Sequence, residues 1–159
     1  MGHRAFLYRG KREFAHNQTE WVYGYLTSYS EEIATIKDVE GNKAYLVDPR
    51  SVGMCVVSQS MNFDLEPFDG DIVRVVDDYD SPNGYSKTFH NDYLCSWNDD
   101  ISAFCFYYIN PEQGLMYDDY VLINEFNNCN DFTIIGNEYD NPELLRRNTD
   151  EKNNRYKNR

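Results

Sequence analysis

Closely spaced carboxylates are the residues of this chain whose types and spacing could do chemistry. They form four groups along the sequence: Asp69 and Asp71; Asp77, Asp78 and Asp80; Asp99 and Asp100; Asp118 and Asp119. Carboxylate oxygens are preferred ligands of Ca²⁺ and Mg²⁺. The sequence that starts at Asp78 does not match the calcium-loop pattern, because Pro82 is at its fifth position and its twelfth residue is not glutamate. We therefore expect carboxylates that face solvent or bind turn amides, with weak divalent-ion binding as the alternative.

Nucleophiles and soft-metal ligands lie too far apart to indicate a site. The four cysteines are separated by 40, 10 and 24 positions: Cys55, Cys95, Cys105 and Cys129. Zinc and redox motifs need close pairs, so these residues are predicted to be buried thiols. The histidines are equally scattered: His3, His16 and His90. With no nucleophile-elbow, phosphate-loop or dinucleotide-binding pattern either, the sequence predicts a protein that is not an enzyme, with no catalytic residue, no metal ligand and no cofactor.

Charge is distributed unevenly along the chain. The net charge is −12, but residues 1–12 hold four basic groups and no acid, and residues 146–159 hold six basic and two acidic groups. The segment 13–145 has 5 basic and 25 acidic residues. Nucleic-acid binding takes clustered Lys and Arg, so nucleic acid is disfavoured as a partner of this acidic body. No apolar run is long enough for a membrane span or a secretory signal, and a cytoplasmic protein without a membrane partner is expected.

The elements that must position these residues are predicted to be strands. The chain has 14 Tyr and 9 Phe, an aromatic content that favours β structure. Predicted strands lie at 5–8, 21–26, 33–37, 43–47, 54–57, 71–76, 85–94, 101–109, 120–126 and 132–135. Residues 9–12 have the composition of a turn, residues 38–42 that of a hairpin loop, and 101–109 that of a central strand. The alternating aromatics of 21–26 are predicted to be core residues.

The end of the chain combines a helix signal with a polar tail. Asp140 or Asn141 can cap a helix of about two turns that begins at Pro142, with Glu143 against its positive end. After it the residues are almost wholly polar. The predicted organisation is an N-terminal β subdomain at 1–62, a second subdomain with the short terminal helix at 63–147, and a disordered tail at 148–159.

Four sequence blocks, taken in order, carry a family resemblance. The blocks are 21–26, 47–53, 68–73 and 135–145. Together they resemble the YopX family of phage and prophage proteins, which has no established biochemical activity. The matching positions, expected to be structural, are Trp21, Gly24, Asp48, Pro49, Gly53, Gly70, Asp71, Gly136, Asn141 and Pro142. The chain departs from the family pattern at 54–62, so the loop chemistry of that region does not carry over.

The resemblance implies a mainly β fold in which an N-terminal β subdomain precedes an SH3-like small barrel with a short C-terminal helix. It also implies a homo-oligomer in the cytoplasm of a bacterial host. The leading hypothesis is a non-enzymatic phage accessory protein that self-assembles or binds protein. Two alternatives stay open: an acidic mimic of nucleic acid that binds a basic host protein, and a small barrel that binds nucleic acid through its basic termini.

Overall fold

A computed structural model describes residues 6–13, 19–56, 66–80, 82–122 and 132–146, and in these ranges the chain is mainly β, as predicted. Its strands form two open five-stranded antiparallel sheets, ordered β4-β3-β2-β1-β5 and β10-β6-β7-β8-β9. The strands are β1 Tyr8–Glu13, β2 Thr19–Tyr29, β3 Ala34–Asp38, β4 Ala44–Val47, β5 Gly53–Met54, β6 Asp71–Asp80, β7 Ser86–Asn98, β8 Ala103–Asn110, β9 Gly114–Leu122 and β10 Phe132–Asn137. The chain divides into two compact units, 1–69 and 70–159, here called the first and second unit.

The first strand corrects the prediction of a turn at 9–12. These residues lie inside β1, which pairs with β2 from Tyr8 to Glu13. The physical reason is aromatic packing. The Arg9 guanidinium lies 4.6 Å from the ring centre of Trp21, and that of Arg12 lies 4.8 Å from the ring centre of Tyr45. Basic side chains that stack on aromatic faces can therefore line a strand that composition alone assigns to a turn.

The predicted hairpin of 33–37 and 43–47 is confirmed by β3 and β4. Its loop is closed by the Asp38 amide, which donates to the Lys43 carbonyl over 2.9 Å, and by the Asp38 carboxylate, which accepts from the Asn42 amide over 2.9 Å. Gly41 supplies the left-handed backbone at φ 72°. The core of this unit contains Val22, Ala34, Ile36 and Val47.

A single 3-10 turn, Pro49–Ser51, follows β4. It brings the chain back to β1, because the Asp48 amide donates to the Lys11 carbonyl over 2.8 Å and the Lys11 amide donates to Ser51 Oγ over 2.7 Å. Gly10 allows this approach, since a Cβ there would lie 2.7 Å from Val47 Cγ2. The sheet of the first unit therefore curls until β1 contacts the end of β4.

The second unit is built on β7 and β8. Cys105, Phe106, Tyr107 and Ile109 are all buried, so both faces of β8 are covered, as predicted for the run 101–109. One face belongs to a core cluster with Ile72 and Leu94, against which Leu115, Leu122, Ile135, Leu144 and Leu145 pack.

The edge strand β9 is interrupted by a wide bulge. Ile109 is paired with Leu115 and Tyr107 with Tyr120, so four residues of β9, 116–119, lie opposite the single residue 108 of β8. Such an insertion bends the strand and breaks its ladder of hydrogen bonds. The bulge includes Tyr117, which is 70% exposed.

The predicted two-turn terminal helix is one 3-10 turn, Pro142–Leu145. Asn141 precedes it without capping it, because its side-chain oxygen instead accepts from the Asn137 amide at 3.4 Å. Leu144 and Leu145 pack on the core of the second unit, which explains why the chain turns here. Three predictions lie outside the described residues: the boundary at 62/63, the end of the strand predicted at 120–126 and the tail at 148–159.

Candidate functional site

The carboxylate groups of the sequence do not converge in the described part of the chain. Those residues hold no group of three or more His, Cys, Asp or Glu side chains placed to bind a metal ion. Asp71 is 1% exposed, Asp99 accepts the indole hydrogen of Trp97 over 2.9 Å, and Asp118 and Asp119 are exposed. The acids are thus spread over separate elements.

Two residues on the same face of β8, Cys105 and Tyr107, have raised pKa values. Burial raises the pKa of the Cys105 thiol, with a smaller opposing effect of its hydrogen bond to Tyr107. Burial also raises the pKa of Tyr107. Both shifts favour the neutral form, whereas a nucleophilic cysteine needs a lowered pKa. The pair therefore has the character of core residues.

Three of the four cysteines confirm the prediction of buried thiols: Cys55, Cys95 and Cys105. Cys55 lies near Glu66, with Sγ 3.3 Å from the carboxylate. Cys129 lies outside the described residues, as do His3 and His16, and His90 is an exposed residue of β7. Tyr107 is only 6% exposed and packs against Tyr117 and Tyr120.

The alternating aromatics of β2 pack against the interior of the first unit. Tyr23 meets Phe68 edge to face at 5.6 Å. Arg9, which is 7% exposed, has its guanidinium 5.1 Å from the same Phe68 ring and 4.6 Å from that of Trp21. These faces are already occupied, so the set is not a stacking platform for bases.

The most unusual feature of the second unit is a two-stranded arm, defined as residues 76–80 and 86–90 with the turn at 82–85. Five residue pairs form it, from Val76 with His90 to Asp80 with Ser86. In the described residues β10 pairs with β6 only from Asp71 to Val75, and β8 pairs with β7 only from Asp92 onward. Within the described residues the arm therefore extends beyond the paired parts of β8 and β10, by roughly 17 Å at about 3.4 Å per residue.

The turn of the arm and its β7 strand are exposed to solvent. All side chains from 82 to 90 are exposed, with Tyr85 at 79% and Phe89 at 42%. Lys87 Nζ lies 4.7 Å from the ring centre of Phe89, so these two side chains share a face. At the base of the arm Arg74 binds Asp92 through two hydrogen bonds of 2.7 and 2.9 Å, and this bond raises the pKa of Arg74.

Sequence reasoning missed the arm as a candidate site, although a signal for it existed. Residues 85–94 were predicted as a strand, and the Pro82-Asn83-Gly84 sequence before them is typical of a turn. A turn of this type between two strands indicates a hairpin. How far the hairpin extends past the neighbouring strands depends on where β8 and β10 stop pairing with it. The sequence of the hairpin itself does not indicate those positions.

Two of the glycines among the ten matching positions lie where the backbones of two segments come close together. A Cβ at Gly24 would overlap the Lys37 carbonyl oxygen on β3, and a Cβ at Gly53 would overlap that of Asp69. Gly70 has φ 90°, in the left-handed region that favours glycine.

The remaining signature positions lie at turns, on β2 or in the interior. A Cβ at Gly136 would lie 2.6 Å from the side-chain oxygen of Asn141. Pro142 opens the second 3-10 turn and Pro49 the first, where the Asp48 carboxylate accepts from the Arg50 amide over 3.0 Å. Trp21 is half-buried beneath Arg9, and Asp71 is buried. The ten positions are spread over both units.

Comparisons with protein-family models, with curated proteins and with solved structures returned no match. In the described residues no helix has the length and apolar character needed to cross a membrane. The arm is therefore the candidate site that follows from the geometry of this chain alone.

Proposed function

We propose that this chain is a YopX-type phage or prophage accessory protein that acts by binding protein, first of all copies of itself, and not by catalysis. The four ordered sequence blocks support the family assignment. Their glycines lie at close backbone contacts, such as that of Gly24 with Lys37, which is compatible with the structural role expected of them. We place its action in the cytoplasm of a bacterial host, on the strength of the same resemblance.

The arm is the single observation that carries this proposal. A two-stranded hairpin by itself is at best marginally stable in water, and an edge strand presents backbone groups that can pair with another chain. Here such a hairpin extends past its sheet with Tyr85 and Phe89 exposed. Contact with another chain would cover these rings and add strand pairing.

Particle mass over a wide concentration range tests the proposal. Sedimentation velocity and light scattering should show a mass that rises with concentration above the 18.8 kDa of one chain. A constant mass of one chain at every concentration would reject self-association as the function.

An acidic mimic of nucleic acid is the second candidate, and the charge of the surface favours it. Exposed acids occur throughout the described residues, among them Glu31, Glu32, Glu40, Asp99, Asp100, Glu112, Asp118, Asp119 and Glu143. A basic partner would be attracted to such a surface at low ionic strength and released by salt. Affinity capture from host lysate at low and high salt should then yield a basic protein in the low-salt sample alone.

A further inference from the structure

We propose that the outer edge of β4, together with the cavity beside it, binds an extended basic segment of a partner protein. The segment adds a strand along Ala44 and Leu46, and one of its lysine or arginine side chains enters the cavity and pairs with Glu32. This inference rests on the second candidate function, a basic partner, and names the site that receives it.

The direction of the backbone groups of β4 is the first argument. β3 and β4 are antiparallel, and the Asp38 amide donates to the Lys43 carbonyl just before β4 begins. Hydrogen-bonded and non-bonded pairs alternate along such a ladder, so Tyr45 bonds to β3. Its neighbours Ala44 and Leu46 therefore direct their N–H and C=O groups away from β3.

The outer edge of β4 is the last in its sheet, because the strand order is β4-β3-β2-β1-β5. In the described residues β1 bonds to this edge past the end of the strand, where the Asp48 amide donates to the Lys11 carbonyl over 2.8 Å. Ala44 and Leu46 lie before that point and, within the described part of the chain, pair with β3 alone. Leu46 is 69% exposed. Strand addition at such an edge is a common mode of peptide recognition, in which main-chain hydrogen bonds give affinity and adjoining pockets give specificity.

A cavity of about 410 Å³ adjoins this edge, within the usual range of ligand cavities of about 300–1,000 Å³. Its lining combines apolar and charged side chains: Glu32, Leu46, Val47, Asp48, Pro49 and Arg50. The Arg50 guanidinium donates to both carboxylate oxygens of Asp48, over 2.7 and 3.1 Å. These two charges offset each other, so Glu32 makes the net charge of the lining negative.

Charge selects a basic segment as the occupant. A lysine or arginine side chain can lay its apolar stem along Leu46 and Val47 and bring its charged end to Glu32. The chain as a whole has a net charge of −12, which attracts a basic segment and repels a second copy. The edge supplies backbone pairing for any extended chain, whereas the cavity discriminates by charge.

Fluorescence anisotropy with a labelled peptide tests the role of the cavity. The probe is acetyl-Thr-Val-Thr-Lys-Thr-Val-Thr-amide, and a second probe has norleucine in place of lysine. At about 20 mM NaCl the wild type should bind the lysine probe about tenfold more tightly than the norleucine probe. Glu32→Gln should remove this preference. Glu31→Gln, at the exposed neighbouring position outside the cavity lining, is the matched control and should retain it.

Leu46→Pro tests strand addition. Proline has no N–H, and the N–H that it removes here is one that β3 does not use, so we expect about tenfold weaker binding of both probes. Leu46→Val shortens the side chain but keeps the N–H, and its affinity should stay within about twofold of the wild type. An unchanged circular dichroism spectrum establishes that each variant is folded.

The outcomes separate the site from the candidate function. A wild type that does not bind the lysine probe, or a Glu32→Gln chain that keeps the preference for lysine, would overturn the site, whereas capture of a basic protein at low salt would still support the function. A folded Leu46→Pro chain that binds both probes normally would overturn strand addition. If that variant instead lost only self-association, the occupant of the edge would be a second copy, which also overturns the proposal. Probe binding at this site without capture of any basic protein would support the site and count against the function.

Discussion

At the scale of single residues, this chain depends on glycines where two backbones meet. The site of Gly24 is defined by the carbonyl of Lys37 on the neighbouring strand, and that of Gly53 by the carbonyl of Asp69. A backbone atom cannot move aside as the end of a flexible side chain can. Substitution at these positions must therefore displace a strand.

Gly24→Ala should lower the free energy of unfolding by about 1–3 kcal/mol, because its methyl group would overlap the Lys37 carbonyl oxygen. Urea denaturation measures the change. Ser28→Ala, at an exposed position of the same strand, is the control and should stay within about 0.5 kcal/mol of the wild type. Equal effects of the two variants would contradict the close contact.

Tyr107 and Cys105 should make stability fall at alkaline pH. Burial raises the pKa of both side chains, so the folded state holds their protons more tightly than the unfolded state does. Their contribution is fully present below the unfolded pKa values, about 8.5 for Cys and about 10 for Tyr, and is lost as pH rises through the higher folded values. Tyr107→Phe should show a shallower loss of stability between about pH 9 and 11 in urea titrations. A parallel loss in wild type and variant would show that Tyr107 does not contribute.

At the scale of elements, the arm depends on how β6 and β7 are held in register at its base. The two hydrogen bonds between Arg74 and Asp92 lie two residue pairs before the arm begins. Beyond that point each strand of the arm has only the other strand as a described neighbour. The arm should therefore be the part of β6 and β7 that opens first.

Arg74→Met keeps most of the apolar stem of the side chain and removes both hydrogen bonds to Asp92. We expect about 0.5–1 kcal/mol lower stability, because the pair is partly exposed, and faster amide exchange in the arm than in β8. Hydrogen exchange by mass spectrometry resolves the two regions. Arg50→Met is the control, since the Arg50 side chain is 81% exposed. Exchange that accelerates equally in arm and β8 would mean that the pair does not act locally.

The local sequence pattern predicted where strands occur better than it predicted where they begin and end. The hairpin of β3 and β4 followed from a glycine-containing loop between two strand-like runs, and β8 from its continuous apolar run. The extension of β1 through Arg9 was not predictable, because it depends on Trp21 and Phe68, which lie elsewhere in the sequence. The particular ring contacts of Tyr107 were not predictable for the same reason, because Tyr117 and Tyr120 belong to a different strand, β9.

At the scale of the whole molecule, charge distinguishes the two candidate functions. Copies of a chain with a net charge of −12 repel each other, whereas a basic partner is attracted. Salt screens both interactions. The direction in which salt changes binding therefore reports the sign of the partner's charge.

Self-association should strengthen when NaCl rises from about 20 to 300 mM, since screening removes repulsion between the acidic chains. Sedimentation equilibrium at several salt concentrations measures this. Asp118→Asn/Asp119→Asn removes two exposed charges outside the arm and should reduce the salt response without abolishing self-association. Weakening of self-association by salt would instead indicate attraction between unlike charges.

The bulge of β9 bears on how far an assembly of these chains can grow. With four residues of β9 opposite one of β8, the β9 edge of the second unit offers no regular template for a further strand over these residues. The bulge therefore disfavours regular strand addition at that edge. We therefore expect that assembly of these chains does not proceed by strand addition at β9.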